Sequence, residues 1–341
     1  MDSFFLYRLP GENEFTGGIG TVKTGIDCGF IISSFYNTKE ATLTIVKEDD
    51  FTLDSLKDFQ AGKVLLPTEI NNILPIFPFP DQSTLKDEYL SDVRKIIAGL
   101  GEKEKTVYCR AICGRESIDL PSTLIALDKA FPGAMVFCFH TPQSGIWFGA
   151  TPEKLLSNNN GCMTTMALAG TRKANVAEDW DRKNIEEQKM VTDYIAEIFS
   201  RHGINHWHDD QPHSKKVGKL EHLCTEFTAD FSSLPDSDFL SDFLYDLSPT
   251  PALCGFPKQK SFETIRALER FSRAYYGGFM GPLFQNGDFS LYVILRSVRM
   301  DIGKWCMYAG GGITASSVPK TEWEETENKA ASIMEKLHFF E

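Results

Sequence analysis

Residues 281–301 read "GPLFQNGDFSLYVILRSVRMD". Two runs rich in aromatic and β-branched residues flank Asn286-Gly287, a dipeptide that marks tight hairpin turns because both residues tolerate positive φ. A strand that turns straight back pairs antiparallel, whereas a parallel neighbour needs a crossover of a dozen or more residues. The same pattern recurs on both sides. "KWCMYAGGGIT" (304–314) follows, while "AMVFCFH" (134–140) and "GIWFGAT" (145–151) are separated by a short turn. "CMTTMALAGT" (162–171) comes after the turn "SNNNG", and "HLCTEFTADF" covers 222–231. "GFIISSF" (29–35) and "ATLTIV" (41–46) lie before a Pro-rich crossing, "LPIFPFPDQS" (74–83). Apolar residues at helical spacing predict helices over about 84–99, 122–130, 179–201 and 320–337. Strand runs outnumber helices, so the expected class is α+β, mixed and largely antiparallel, not doubly wound.

Bulk properties narrow the function. The chain has 341 residues, 42% hydrophobic and 24% charged, the profile of a globular protein. Its length suits one large domain or two ordinary ones. A single domain over 1–341 is expected, with a strand-rich part lacking motifs (1–95) and a core (96–341) that carries the chemistry. Apolar runs are too short for a membrane span, and the first residues, "MDSFFLYRLPGENEF", lack the basic and apolar regions of a signal peptide. The eight cysteines form no CxxC pair and read as reduced, buried thiols of a cytoplasmic protein. A net charge of -12 argues against nucleic-acid or anionic-membrane partners, but not against a small anionic ligand in a locally basic pocket.

Four places could carry chemistry. In "EKTVYCRAI" (104–112), alternation puts Lys105 on the same side as Val107, Cys109 and Ala111. The lysine either snorkels from a strand end or is a desolvated amine held for chemistry. In "YAGGGITASSVPKTEWEETENKAASIM", Gly310, Gly311 and Gly312 let backbone approach a ligand closely. On the helix that follows, Glu322, Glu325 and Lys329 share one face, and Trp323, Ala330, Ile333 and Met334 need burial. Such a face either holds a hard cation and an anion or is an exposed ion-paired surface. Glu187, on the edge of the stripe formed by Val191, Tyr194, Ile195 and Ile198, is either a solvated flank or a buried metal ligand that needs a partner cation, and by itself the pattern favours the flank. The cluster "RHGINHWHDDQPH", with His202, His206, His208 and His213, raises zinc, but its irregular spacing and turn residues favour a polar surface loop.

From Lys105 onward the sequence resembles the chorismate-utilising enzymes, which include anthranilate synthase component I, aminodeoxychorismate synthase component I, isochorismate synthase and salicylate synthase. Six motifs occur in the family's order: "KTVYCRAI", "TPEKLL" (151–156), "LAGTRK" (168–173), "SPTPALCGFP" (248–257), Glu269 through Arg273, Tyr276 and Gly278 to Gly281, and "AGGGITASSVPKTEWEET". The resemblance implies two large, mainly antiparallel sheets packed face to face with helices outside. It implies chorismate as substrate and Mg2+ as cofactor, with Glu187 and Glu325 as direct ligands and Glu322 in the outer shell. Tyr276, Arg296, the Gly310–Gly312 backbone and Lys329 would hold the pyruvyl carboxylate, and Gly170, Thr171, His222 and Thr250 would line the ring pocket. Asn184 and Gln188 stand where the family usually has an acid and a histidine, which leaves one less negative charge beside the metal.

Lys105 and Glu153 occupy the family's base and acid positions. A lysine on an apolar strand face is desolvated, which favours the neutral amine and hence activation of water. Members that use ammonia lack this lysine and need an ammonia source, so no glutaminase partner is expected. The resemblance therefore implies isochorismate formation, on a route to menaquinone or a catechol siderophore. Salicylate synthase is the alternative, and an ammonia-using synthase a more distant one. A zinc hydrolase and a chorismate-binding paralogue without turnover are the readings outside this class. A monomer is expected.

Overall fold

The computed structural model describes residues 3–36, 38, 41–60, 77–175, 178–217, 220–230, 237–301 and 303–340. The first half of the chain forms β1 (Ser3–Arg8), β2 (Thr16–Thr24), β3 (Gly29–Ser33), β4 (Thr42–Asp49), α1 (Leu53–Gln60), α2 (Lys86–Gly99), β5 (Lys105–Gly114), α3 (Leu120–Ala130), β6 (Met135–Thr141), β7 (Gly145–Thr151), β8 (Lys154–Asn159) and β9 (Cys162–Lys173). The second half forms α4 (Arg182–Arg201), β10 (Trp207–Asp209), β11 (His213–Val217), β12 (Leu220–Asp230), α5 (Ser237–Leu247), β13 (Gly255–Phe256), α6 (Lys258–Leu268), β14 (Phe279–Leu283), β15 (Phe289–Val293), β16 (Ser297–Asp301), β17 (Lys304–Thr314) and α7 (Pro319–Met334). Residues 74–76 of the Pro-rich crossing lie outside the described residues.

The hairpin forms where expected, with Phe279 opposite Val293 and Leu283 opposite Phe289. Its turn is longer than two residues. The Gly287 N–H donates to Phe284 O (3.0 Å), and Gly287 takes φ +82°. Asn286 accepts from the Asp288 N–H through Oδ1 (3.1 Å) instead of sitting in a two-residue primed turn.

Every pairing among the described strands is antiparallel. Hydrogen bonds follow one path, β12–β9–β8–β15–β14–β3–β4–β2–β1–β6–β7–β16–β17–β5–β13, with β10 and β11 on the outer edge of β12. The path folds over on itself, and a shared core fills the space between its arms. Phe30, Ile32, Met280 and Tyr292 from one arm pack with Phe5, Phe137, Trp147 and Cys306 from the other. The two face-to-face layers are thus joined by a hydrogen-bonded seam at β2–β1. Helices α4 and α5 cover the outside of the first arm through Val191, Ile195, Phe243 and Leu244. Helices α1, α3 and α7 cover the second through Leu56, Leu124 and Ile333. No helix among the described residues is long and apolar enough to cross a membrane.

Local chemistry sets the helix starts. Asp181 caps α4 by accepting from the Asn184 N–H (2.8 Å), so the helix begins at Arg182, three residues beyond the expected start. Asp119 caps α3 in the same way through Ser122. In α7, Trp323, Ala330 and Ile333 are buried, but Met334 is 41% exposed because it falls in the last turn, off the packed stripe.

Two expectations fail for a common reason. Alternation along β5 suggested one apolar and one polar face, yet Lys105 through Ala111 are all buried. β5 is an inner strand covered on both faces, with Tyr108 packing beside Tyr89 and Trp323, and Arg110 stacking 3.9 Å from the Trp323 ring. The histidine cluster is not a loop throughout, because Trp207–Asp209 and His213–Val217 pair with the long strand β12.

A buried ion pair ties the middle of β5 to the segment after α6. Arg273 and Glu269 are 1% and 2% exposed. The Arg273 Nε donates to Glu269 Oε2 (2.8 Å), and its other nitrogens donate to the carbonyls of Leu253 (2.9 Å) and Val107 (2.7 Å). Glu269 also accepts from the Cys109 N–H (3.0 Å). Arg273→Met leaves a buried carboxylate uncompensated and should lower unfolding free energy by about 3–5 kcal/mol in urea titrations. A loss under about 1 kcal/mol would mean that the pair does not join these segments.

Candidate active site

One cavity gathers most of the residues singled out above. It has about 780 Å3 of atom-free space, part of it open solvent at the mouth. Strand β17 contributes Gly310, Gly311 and Gly312, β9 contributes Gly170 and Thr171, and β12 contributes His222. Glu187 comes from α4, Glu325 and Lys329 from α7, Glu153 from the β7–β8 connection, and Tyr276 and Arg296 from the segments flanking the 279–293 hairpin. Apolar wall comes from Val107, Leu168, Ala252 and Leu253, which lie inside three of the quoted motifs but had no role assigned to them. Three residues stand behind the wall: Lys105, Glu322 and Thr250, whose buried Oγ1 has no partner among the described residues.

Lys105 is not a snorkelling strand end. Its side chain is 0% exposed, and Nζ donates to Glu187 Oε1 at 2.6 Å. Glu187 is correspondingly no solvated flank, since its side chain is 11% exposed. Burial pushes the Glu187 carboxyl up, but the Lys105 and Lys183 charges outweigh burial and hold it below its ordinary value. Gly312 makes room for the pair. A Cβ at Gly312 would sit 2.5 Å from Lys105 Cε and 2.6 Å from Glu187 Oε1, so a side chain there would displace one of them.

The α7 face is an ion-paired one, but buried and inside the site. Glu322 is 1% exposed and accepts from Lys183 Nζ (2.6 Å). Its Oε2 is buried and has no hydrogen bond of ordinary length among the described residues, and burial raises its carboxyl pKa despite Lys183 and the nearby Ser317 hydroxyl. Lys329 Nζ contacts Glu325 Oε1 (2.7 Å) and donates to Gly310 O (2.9 Å). A Cβ at Gly311 would lie 3.2 Å from Glu322 Oε2 and 3.9 Å from Glu325 Oε1, so both carboxylates reach toward one point over that glycine. Among the described residues, no three His, Cys, Asp or Glu side chains converge as a metal-ligand set. Each of the three glutamates is instead matched by a lysine.

Glu153 has no such match. Burial pushes its carboxyl up to about 8, against the smaller opposing pull of Lys105, Lys329 and Arg296. It therefore keeps its proton at neutral pH. His222 is the opposite case: burial, with the Arg296 and Lys329 charges, pulls it down to about 3, so its ring is neutral. Its Nδ1 donates to Gly170 O (2.9 Å), which leaves Nε2 to accept from Arg296 Nη2 (2.8 Å). Arg296 sits at φ +47° with Nη1 buried and without a partner among the described residues. A buried guanidinium with a free N–H is a built receptor for a carboxylate.

Asn184 and Gln188 are engaged elsewhere. Asn184 Oδ1 accepts from the Thr171 N–H (3.2 Å) and its Nδ2 donates to Asp181 (2.9 Å), so it steadies the Gly170–Thr171 turn. Gln188 Nε2 donates to Thr192 and Thr225, tying α4 to β12. The histidines do not assemble a site: His202 pairs with Asp246 (2.9 Å), His213 lies 3.3 Å from Asp210, and His206 and His208 are exposed.

His222→Ala removes the acceptor that aims Arg296. Binding of chorismate, the ligand that the sequence resemblance implies, should weaken about tenfold or more in calorimetry, the loss of one charged hydrogen bond. Unchanged binding would show that Arg296 is oriented by other contacts.

Comparisons with known proteins give the family and the fold. A family profile described as "Chorismate binding enzyme" matches residues 69–338. The vibriobactin-specific isochorismate synthase of Vibrio cholerae serotype O1 is 29% identical over 242 residues, 67% of this chain and 61% of that protein. An isochorismate synthase of Bacillus subtilis is 29% identical over 290 residues, 78% of this chain and 60% of that protein. This chain thus spans about three fifths of the length of both relatives. The solved structure of the menaquinone-specific isochorismate synthase from Escherichia coli has the same fold, with a TM-score of 0.77, 20% identity, and coverage of 98% of this chain and 89% of that one. With the profile spanning most of the chain, from before β5 to beyond α7, the protein belongs to the chorismate-binding enzyme family.

Proposed function

We propose that the cavity binds chorismate and converts it to isochorismate, with Mg2+ as cofactor. The observation that carries this reading is a buried amine and a proton-bearing carboxyl serving one cavity: Lys105 behind Gly312, and Glu153 in the wall. The reaction needs these two groups. Water adds at C2 and gives up a proton to a base; the C4 hydroxyl leaves as water after taking a proton from an acid. Lys105 Nζ is the base and Glu153 the acid. For Nζ to accept a proton it must first be neutral, so its contact with Glu187 has to open as the loaded site forms.

The rest of the wall positions a dianion. Arg296 Nη1 and Lys329 meet the pyruvyl carboxylate beside Tyr276 and the Gly310–Gly312 backbone. Gly170, Thr171 and His222 hold the ring, with Thr250 Oγ1 behind them. The donor set fits a hard cation: carboxylate oxygens, among them the buried Glu322 Oε2, without a hydrogen bond of ordinary length among the described residues, beside Glu325. Mg2+, when bound through Glu187 and Glu325 with Glu322 outside them, supplies positive charge against the ring carboxylate. With no acid at 184, modest affinity for the cation is expected. Isochorismate would be the end product, made by a monomer in the cytoplasm without a glutaminase. The relatives' names point to either a siderophore or a menaquinone route.

Three outcomes test this. Incubation with chorismate and Mg2+ should yield isochorismate by chromatography; salicylate with pyruvate would favour the alternative, and no turnover would mean a binding paralogue. Lys105→Gln should abolish turnover while chorismate still binds, and near wild-type turnover would dismiss Lys105 as base. Because Glu153 must be protonated to act, kcat should fall as pH rises through about 8. Glu153→Gln should lower kcat by about 100-fold or more and remove that limb; a limb retained in this variant would belong to another group.

A further inference from the structure

Strands β5 and β17 are the longest-paired neighbours of the second arm, and they carry Lys105 and Gly312 at one end of their ladder. At the other end Cys113 and Cys306 stand directly opposite each other. Their sulfurs are 3.4 Å apart. Opposed residues of an antiparallel pair have Cα atoms about 4.5–5.5 Å apart, inside the range of about 4.4–6.8 Å that a disulfide spans. Closing the bond therefore asks for side-chain rotation and little backbone movement. The two thiols differ in access: Cys113 is half-buried, whereas Cys306 is 0% exposed in the core between the layers. The Cys113 backbone is fixed, with its N–H donating to Ser83 Oγ (2.9 Å).

We propose that Cys113 and Cys306 are a redox modification site, in which hydrogen peroxide converts the pair to a reversible cross-strand disulfide. Cys113 gives up its proton, the thiolate attacks the peroxide O–O bond and becomes a sulfenic acid, and the departing hydroxide takes up that proton and leaves as one water. Cys306 sulfur then attacks the Cys113 sulfur; the S–S bond forms, the hydroxyl departs with the Cys306 proton as a second water, and the peroxide has taken both electrons. A dithiol reductant reverses the change. The order of events follows from access and charge. The neighbouring Cys306 thiol lowers the Cys113 pKa, and burial raises that of Cys306, so Cys113 is the nucleophile and Cys306 the resolving group. The site is independent of the ligand the cavity takes. Neither cysteine lines the cavity, but Met307, next to Cys306 on β17, does, so the bond locks the ladder at the edge of the site without entering it.

The test uses the full chain with Cys28→Ser and Cys162→Ser, which removes the two exposed thiols. After peroxide and alkylation, mass spectrometry of the digest should find one peptide pair joined through Cys113 and Cys306, lost on treatment with dithiothreitol. The melting temperature of the oxidised protein should rise by several degrees and return on reduction. In Cys306→Ser, dimedone should trap a sulfenic acid on Cys113 that it does not trap in the parent. Free or irreversibly oxidised Cys113 with no linked pair overturns the proposal, as does equal dimedone labelling with and without Cys306. Cys306→Ala repeats the trapping test if the serine variant melts below the parent.

Discussion

The Lys105 ammonium and the Glu187 carboxylate meet at 2.6 Å with almost no solvent around either. Removing two such charges from water is costly, and their attraction at best offsets that cost, so a pair of this kind is not there to make the protein stable. It constrains its surroundings instead. Residue 312 has to be glycine, because any Cβ would collide with both partners. β5 has to be an inner strand, paired with β17 on one side and β13 on the other, so that Lys105 never reaches the surface. Helix α4 has to present Glu187 inward and is held there by Gln188 and Asn184, which tie it to β12 and β9.

The electrostatics of the cavity follow from which carboxylates have a lysine. Glu187, Glu322 and Glu325 are matched by Lys105, Lys183 and Lys329 within 2.7 Å. Glu153, buried with none among the described residues, holds its proton to about 8. Two kinds of glutamate thus arise on one fold: carboxylates suited to cations, and a neutral acid suited to donation. Arg296, pulled down by burial only to about 10 and half-satisfied by a neutral His222, gives the cavity a receptor for an anion although the chain as a whole carries -12.

Period-two strand patterns and turn residues made much of this fold legible. "GIWFGAT" and "KWCMYAGGGIT" are strands with the expected ends, because a turn or a glycine stops each one. The site was legible as motifs, and most of the residues carried over from them line one cavity. What periodicity could not supply were contacts between distant segments. Glu187 looked like a flank because its helix shows only its own stripe; Lys105, 82 residues away, makes it interior. β5 looked two-faced because nothing in its own sequence reports that α2 and α7 cover the second face. β10 and β11 were hidden in a polar stretch, since edge strands take their stability from the partner β12 rather than from an apolar pattern of their own.

In the proposed reaction water is the nucleophile, activated by an amine held out of solvent. The most direct measurement is turnover of chorismate with Mg2+ in water enriched in oxygen-18, followed by mass spectrometry of the product. The account predicts isochorismate with one heavy oxygen, placed at C2 by fragmentation. Isochorismate without the label, or an aminated product when ammonium is supplied, would contradict it.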